Sequence, residues 1–177
     1  MILDGNSKGN LIAVTKVLAN PGHKFGIMLC GNCGNGKTTM MHAIRRSIDF
    51  ANDAYKAFEF LRDPDTKRIP RISMQAYDVK SLLAKARKQE NFDAIKQTFL
   101  LGIDDLGKEP REIMDYGSVN TPVIDLLEYR YNRMLFTVVT TNLTWQELEK
   151  KYDRRIIDRF WEMFHVIPFK DISYRRI

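Results

Sequence analysis

Short apolar runs alternate with stretches that carry apolar residues at helical spacing along most of this chain. The apolar runs predict five buried strands, at 25–30, 71–75, 99–105, 135–140 and 165–169. Strands that alternate with helices in this way pair in parallel and need a helical layer on each face. We therefore predict an α/β fold of three layers, with a five-stranded, mostly parallel sheet in the middle.

The stretches between the strands predict helices. They lie at 11–18, 39–48, 50–61, 78–88, 91–97, 145–152 and 153–161, and a further helix begins at Pro122. The breaker at 20–22 ends the first helix, whereas 4–6 is turn-like and 108–120 is polar and irregular. The helix from Pro122 has an apolar stripe of Val123, Leu127, Tyr131 and Met134, with Glu128, Arg130 and Arg133 largely outside it. No repeat or low-complexity tract divides the sequence, so we expect a single domain over 1–177.

A glycine-rich stretch with the pattern G-x-x-x-x-G-K-T occupies 31–38, between the first predicted strand and a helix. This context is typical of a phosphate-binding P-loop. Glycines let successive backbone N–H groups converge on phosphate, and the start of the following helix attracts the same anion. The predicted nucleotide-binding residues are Asn32, Cys33, Gly34, Asn35, Gly36, Lys37, Thr38 and Thr39. Lys37 is predicted to reach the β- and γ-phosphates of ATP, and the Thr38 hydroxyl to bind Mg²⁺.

Two adjacent acids, Asp104 and Asp105, end the third predicted strand. Ligands of open α/β sheets bind at the carboxyl ends of the strands, so this pair is expected beside the P-loop, as in a Walker B motif. Asp104 is predicted to hold Mg²⁺, and Asp105 to orient or deprotonate the attacking water. The alternative is that the two carboxylates cap a helix. A polar residue, Asn142, follows the fourth predicted strand.

Composition and charge narrow the class of protein. The 177 residues are 44% hydrophobic and 28% charged, as in an ordinary globular protein. No apolar run is long enough to span a bilayer and no signal peptide is evident, so we expect a cytoplasmic protein without a membrane partner. The net charge of +6 is compatible with nucleic-acid binding and equally with a solvated basic surface.

The cysteines and histidines do not form a recognisable metal or redox motif. Cys30 and Cys33 have C-x-x-C spacing, but no second Cys or His pair accompanies them at metal spacing. We interpret them as a packing residue and a loop residue. The scattered His23, His42 and His165 are interpreted as structural.

Four segments, GNCGNGKT, LLGIDDLG, VVTTNL and RIIDRF, together resemble the AAA+ ATPases. Within that family the chain is similar to the group of bacterial helicase loaders and IstB-like proteins (DnaC, DnaI, IstB), over about 4–175. The resemblance implies an AAA+ core, ATP and Mg²⁺ as cofactors, and a homo-oligomer. It also implies that Asn142 is the sensor residue that helps Asp105 position the water. Arg159 would be the arginine finger, which acts on the γ-phosphate of the neighbouring subunit, with Arg154 and Arg155 as nearby alternatives.

Two departures from the family pattern affect these expectations. Asp105 stands where the family more commonly has Glu, so the carboxylate side chain is shorter by one methylene. IstB-like members share this Asp, so it does not argue for inactivity. Slow ATP hydrolysis is still compatible with it. The chain also carries no extra N-terminal segment of the kind with which loaders grip their helicase. It ends soon after the last predicted strand, which leaves little or no room for a helical lid. Arg175 is then the remaining candidate for the sensor arginine of that lid, and we expect either a truncated chain or partner contacts elsewhere.

The resemblance implies an ATPase of DNA replication that loads a replicative helicase and contacts single-stranded DNA. The basic residues considered for that contact are Lys80, Lys85, Arg87 and Lys88, which are also compatible with a solvated surface. One alternative is an IstB-like transposition helper that binds duplex DNA and a transposase. Another is an interaction module that binds ATP as a switch and hydrolyses little of it.

Overall fold

The computed structural model describes residues 5–55, 72–88, 91–110, 113–115, 118–120 and 122–169. The helices in these ranges are α1 (Gly5–Ala19), α2 (Lys37–Tyr55), α3 (Val79–Arg87), α4 (Phe92–Gln97), α5 (Pro122–Asn132), α6 (Trp145–Lys151) and α7 (Arg154–Met163). The strands are β1 (Gly26–Cys30), β2 (Met74–Asp78), β3 (Leu100–Leu106), β4 (Ile113–Asp115), β5 (Ser118–Asn120), β6 (Thr137–Thr141) and β7 (Phe164–Pro168). None of these helices is long and apolar enough to cross a membrane.

Five of the strands form one sheet in the order β2-β3-β6-β1-β7, and every neighbouring pair is parallel. This confirms the predicted α/β fold with a parallel sheet. Cys30 at the end of β1 pairs with Thr141 at the end of β6, and Leu106 at the end of β3 pairs with the same Thr141 from the other side. The carboxyl ends of these three strands therefore meet at one edge of the sheet. The short strands β4 and β5 pair separately as an antiparallel hairpin.

The sheet separates two hydrophobic clusters, which gives the predicted three layers. Side chains alternate along β1, so that Ile27 and Leu29 pack with α1 and α2, whereas Met28 and Cys30 pack with residues of α3 to α7. All four side chains are buried. A strand with both faces covered needs an uninterrupted apolar run, which is why the sequence of β1 shows no polar alternation.

Several element boundaries differ from the predictions. Strand β2 begins three residues later than predicted and extends to Asp78, because Asp78 also caps α3: its carboxylate accepts the Ser81 N–H at 3.0 Å. The hairpin of β4 and β5 lies where irregular chain was predicted, since strands of three residues are too short to show alternation. Helix α1 includes the 5–6 segment predicted as turn-like, and α2 joins two predicted helices into one as far as Tyr55. The rest of the second predicted helix lies outside the described residues.

Helix α5 buries a different set of residues from the predicted stripe. Val123 and Leu127 are buried as expected, but Met134 lies beyond the end of the helix and is 71% exposed. Arg130, predicted outside the stripe, is fully buried. Its guanidinium donates to four oxygen atoms: the carbonyls of Lys96 (3.0 Å), Thr98 (2.6 Å) and Phe136 (2.7 Å) and the Thr137 hydroxyl (2.8 Å). Arg130 therefore ties α5 to the segment before β3 and to the start of β6.

Candidate functional site

Three glycines of the loop between β1 and α2, Gly31, Gly34 and Gly36, have a positive φ. Gly31 has a φ of 145°, and a Cβ there would lie 2.3 Å from the carbonyl oxygen of Phe169. Gly36 has a φ of 90°, in the left-handed region, and α2 begins directly after it. The unpaired N–H groups at the start of this 19-residue helix therefore lie at the loop. This arrangement is one that binds anions in other proteins.

The Lys37 ammonium is folded back against the loop. It donates to the carbonyl oxygens of Gly31 at 2.6 Å and Asn32 at 2.7 Å, and to Oδ1 of Asn35 at 3.0 Å. Asn35 is itself buried and donates through Nδ2 to the Phe169 carbonyl at 3.1 Å. Lys37 is only 5% exposed, and burial lowers the pKa of its ammonium. The Lys37 ammonium is thus held by three neutral oxygen acceptors of its own loop.

A threonine hydroxyl and a carboxylate join α2 to β3. The Thr38 hydroxyl donates to the Asp104 carboxylate, with distances of 3.0 and 3.2 Å to its two oxygens. The Thr140 hydroxyl of β6 donates to Oδ1 of Asp104 at 2.5 Å and accepts the Asp105 N–H at 3.0 Å. Asp104 is therefore oriented from two sides, and Thr140 links both acids to the central strand of the sheet.

Asp105 departs from regular strand geometry. Its φ is 64°, in the left-handed region, and the pairing of β3 with β6 shifts register between Ile103 and Leu106. Its carboxylate accepts from the Asn142 side-chain amide at 3.0 Å on Oδ1 and from the Lys108 ammonium at 2.5 Å on Oδ2. The structure thus brings together Asp105 and Asn142, the predicted pair, and adds Lys108 to them.

These side chains line one open cleft of about 860 Å³ at the carboxyl edge of the sheet. The predicted loop residues that line it are Cys33, Gly34, Asn35, Gly36, Lys37, Thr38 and Thr39. Asn32 is the exception, and it contributes a carbonyl to Lys37 instead. Asp104, Asp105 and Asn142 complete the predicted set. The cleft therefore gathers residues that lie more than a hundred positions apart in the sequence.

Part of the cleft wall was not predicted. Ser7, Asn10 and Leu11 of α1 line it, as do Lys108 and Phe169. No motif marks the α1 residues, because they reach the cleft through the packing of that helix on the sheet. Lys108 could have been found from its position three residues after Asp105, the spacing at which opposite charges meet in a tight turn.

The donor set at the cleft fits a magnesium ion with few protein ligands. Within the described ranges no three His, Cys, Asp or Glu side chains gather as a metal cluster. The Thr38 hydroxyl and the Asp104 carboxylate do lie together, and both offer the oxygen atoms that Mg²⁺ prefers. Magnesium sites of this kind use one or two protein oxygens and take their remaining ligands from water and phosphate.

Arg159 lies away from the cleft of its own chain. Its guanidinium is paired with the Glu128 carboxylate and lies 5.3 Å from the ring centre of Tyr131. Arg155, one of the alternatives, approaches the same Glu128 oxygen at 3.0 Å. Arg154, the other, is exposed, and Arg175 lies outside the described residues. None of the three described candidates for the arginine finger, Arg154, Arg155 and Arg159, lines the cleft of its own chain. A role as arginine finger would therefore require a second molecule.

The other candidate residues separate into exposed and buried groups. On α3, Lys80 and Arg87 are exposed, as is Lys88 directly after the helix, while Lys85 is half-buried with its ammonium 5.9 Å from the ring centre of Tyr77. Cys30 packs in the core, where burial raises its pKa to about 11, and Cys33 is exposed in the loop. His165 binds the Pro21 carbonyl at 2.7 Å.

Comparison with known proteins gives matches in structure and not in sequence. No protein-family model matches the chain, and no curated protein matches it. Among solved structures, the DnaC helicase loader superposes with a TM-score of 0.69 at 19% identity, covering 96% of this chain and 93% of that one. DnaI superposes with a TM-score of 0.64 at 22% identity, covering 96% and 88%. The chain therefore shares the fold of these two structures, an α/β fold of the P-loop NTPase type with a five-stranded parallel sheet.

A replication initiator has a similar fold. DnaA bound to AMPPCP and single-stranded DNA superposes with a TM-score of 0.54 at 17% identity, over 98% of this chain and 50% of the initiator. This chain therefore spans about half of DnaA, whereas it spans most of the two loader structures. The resemblance inferred from the four sequence segments is confirmed at the level of the fold.

Proposed function

We propose that this chain is an ATPase of DNA replication that acts as a helicase loader and completes its active site with a neighbouring subunit. One observation carries the proposal. Lys37, Thr38, Asp104, Asp105 and Asn142 converge in one cleft, at the edge of the sheet where ligands of open α/β folds bind. The AAA+ fold shared with DnaC and DnaI supports the role in replication.

The loop and the helix α2 would bind the triphosphate. Backbone N–H groups of 33–38 and the start of α2 favour negative charge, and Lys37 adds a full positive charge beneath them. Mg²⁺ would be held by Thr38 and Asp104, and when bound it neutralises charge on the β- and γ-phosphates. The structurally similar DnaA is bound to AMPPCP, which supports a nucleotide as the ligand of this chain.

Asp105 and Asn142 would act on the attacking water. The water oxygen forms a bond to the γ-phosphorus, the bond to the β–γ bridging oxygen breaks, and ADP leaves with the electron pair. Asp105 accepts the proton that the water loses, while Asn142 holds Oδ1 of that carboxylate in place. Because Asp105 is shorter than glutamate, the water must approach it closely, and we expect slow turnover.

Arg159 would supply positive charge to the γ-phosphate of the next subunit. The Glu128 carboxylate now pairs with it, so assembly would exchange this intramolecular ion pair for an intermolecular contact. The exposed basic residues of α3 and the net charge of +6 support contact with the DNA backbone. The single-stranded DNA in the related DnaA structure supports single strands as the ligand.

The proposal is tested by measuring ATP hydrolysis against protein concentration, with and without single-stranded DNA. We expect specific activity to rise with concentration and to respond to the DNA. Asp105→Asn should lower turnover about 100-fold or more with ATP binding retained. Asp93→Asn, an exposed acid on α4 that likewise has a lysine three residues later, should behave as the wild type.

The variant Arg159→Ala separates a finger in trans from a surface residue. We expect unchanged ATP affinity and a loss of turnover of about 1,000-fold. Activity that is independent of protein concentration and unaffected by Arg159→Ala would refute the shared site. Tight ATP binding with negligible turnover would favour the interaction switch, and a preference for duplex DNA would favour the transposition helper.

A further inference from the structure

The turn that follows β3 places a lysine directly on the predicted general base. Lys108 lies three residues after Asp105, and its ammonium donates to Oδ2 of that carboxylate at 2.5 Å. The Lys108 N–H of the backbone also donates to the Asp105 carbonyl at 3.2 Å, which closes the turn. Both side chains line the cleft. Lys108 therefore belongs to the site by position, although no motif contains it.

Lys108 and Lys37 are placed differently in this cleft. Lys37 is buried and donates to three acceptors of its own loop, whereas the Lys108 side chain is 50% exposed and contacts Asp105 at the end of a flexible stem. The hydrogen bond to Asp105 raises the pKa of Lys108, so the ammonium is charged at neutral pH. A half-exposed ammonium on a four-carbon stem can change partners without disturbing the fold.

The present partner of Lys108 conflicts with the proposed chemistry. Asp105 accepts from Asn142 on one oxygen and from Lys108 on the other. Both carboxylate oxygens of Asp105 therefore already accept a hydrogen bond, and Lys108 lies against the oxygen that Asn142 does not contact. Movement of the lysine would open this oxygen to the attacking water.

We propose that Lys108 binds the γ-phosphate of ATP and rests on Asp105 when no γ-phosphate is present. This inference rests on the proposed ATPase function and adds a residue to it. The γ-phosphate carries more negative charge than one carboxylate, and it enters the cleft that Lys108 already lines. Entry of ATP draws the Lys108 ammonium away from Asp105 and leaves the Asp105 carboxylate free to contact the attacking water. ADP lacks the γ-phosphate, so Lys108 stays on Asp105.

The proposal predicts discrimination between ATP and ADP. We would measure the Kd of AMPPCP and of ADP, each with Mg²⁺, for the wild type and for Lys108→Gln. The Kd of AMPPCP should rise roughly tenfold or more, which is the scale of one charge-assisted hydrogen bond, and that of ADP should change less than about twofold. Lys108→Arg keeps the charge and should restore most of the AMPPCP affinity.

A matched control is available on α4. Lys96 also follows an acid by three residues and lies 4.0 Å from Asp93, but it is outside the cleft. Lys96→Gln should leave both Kd values unchanged. Turnover at saturating ATP should fall in Lys108→Gln, because a charge that contacts the γ-phosphate is lost in the transition state as well.

The outcomes distinguish this inference from the proposed function. Equal weakening of AMPPCP and ADP, or no weakening of either, would overturn the assignment of Lys108 and leave the ATPase proposal intact. A turnover that rises in Lys108→Gln would also overturn it, because the lysine would then only restrain Asp105. Wild-type protein that binds neither nucleotide would refute the proposed function and this inference with it.

Discussion

Replacing Arg130 tests how much of the stability depends on one buried cation. The side chain is fully buried, and burial lowers its pKa to about 10, so it is still protonated at neutral pH. Within the described residues its hydrogen-bond acceptors are three carbonyl oxygens and a hydroxyl, all of them neutral. The variant Arg130→Ala removes all four hydrogen bonds at once.

The magnitude follows from what each acceptor loses. The Phe136 carbonyl keeps the Leu101 N–H at 3.2 Å, so its loss is small. The carbonyls of Lys96 and Thr98 would lose a charged donor in a partly buried setting, and each such loss costs about 1–3 kcal/mol. With the cavity added, we expect Arg130→Ala to lower the free energy of unfolding by about 4 kcal/mol.

The assay is chemical denaturation of the wild type and of three variants. Arg130→Met fills the cavity but has no hydrogen-bond donors, so it should recover only the part of the unfolding free energy that the cavity costs. Arg130→Lys also keeps the positive charge and should recover more of that free energy. Arg133→Ala, an exposed arginine at the end of the same helix, should change stability by less than about 0.5 kcal/mol. A loss below about 1 kcal/mol in Arg130→Ala would refute the reasoning, since the carbonyls would then have found other partners.

Three further predictions concern the cleft and its support. Thr140→Val should lower turnover and also lower the free energy of unfolding by about 1–3 kcal/mol, because the buried hydroxyl that joins Asp104 to the Asp105 N–H is lost; steady-state kinetics and thermal denaturation measure the two effects. Gly31→Ala should abolish nucleotide binding or folding, as its Cβ would collide with the Phe169 carbonyl; calorimetry with ADP and circular dichroism separate these results. Burial and the neighbouring Glu109 raise the pKa of Tyr152, so its hydroxyl stays protonated in the folded protein while the unfolded chain ionises near pH 10. Stability should therefore fall as pH rises above about 10, and less steeply in Tyr152→Phe; denaturation curves at pH 9 to 11 test this.

The elements that were predictable from sequence are those with a local signal. An uninterrupted apolar run marks β1 because both of its faces are covered, and Thr144 marks the start of α6 because its side chain and that of Glu147 form a capping box. The glycine-rich loop is predictable for the same reason: Gly31 and Gly36 have backbone angles that few other residues adopt. Where the physical requirement lies within a few residues, the pattern shows it.

The features that were missed depend on contacts between distant segments. A cationic residue at the position of Arg130 is normally solvent-facing, and two of the four acceptors that make its burial favourable are carbonyls of a segment more than thirty residues earlier. The same holds for α1, whose Ser7 and Asn10 reach the cleft through packing on the sheet. No periodicity in the sequence records which helix will cover which strand end.

The two adjacent acids show how a local motif and the fold must be reconciled. Neighbouring side chains of a regular strand point to opposite faces of the sheet, so Asp104 and Asp105 would not both reach one cleft. In the structure the left-handed conformation of Asp105 and the register shift beside it break the alternation, and both carboxylates line the cleft. Asp tolerates this conformation better than most residues, and the Thr140 hydroxyl accepts the N–H that the irregular pairing turns away from the ladder. The sequence DD followed by L-G therefore encodes more than two acidic side chains: it also places them where the strand leaves regular geometry, and this departure lets both carboxylates reach the cleft.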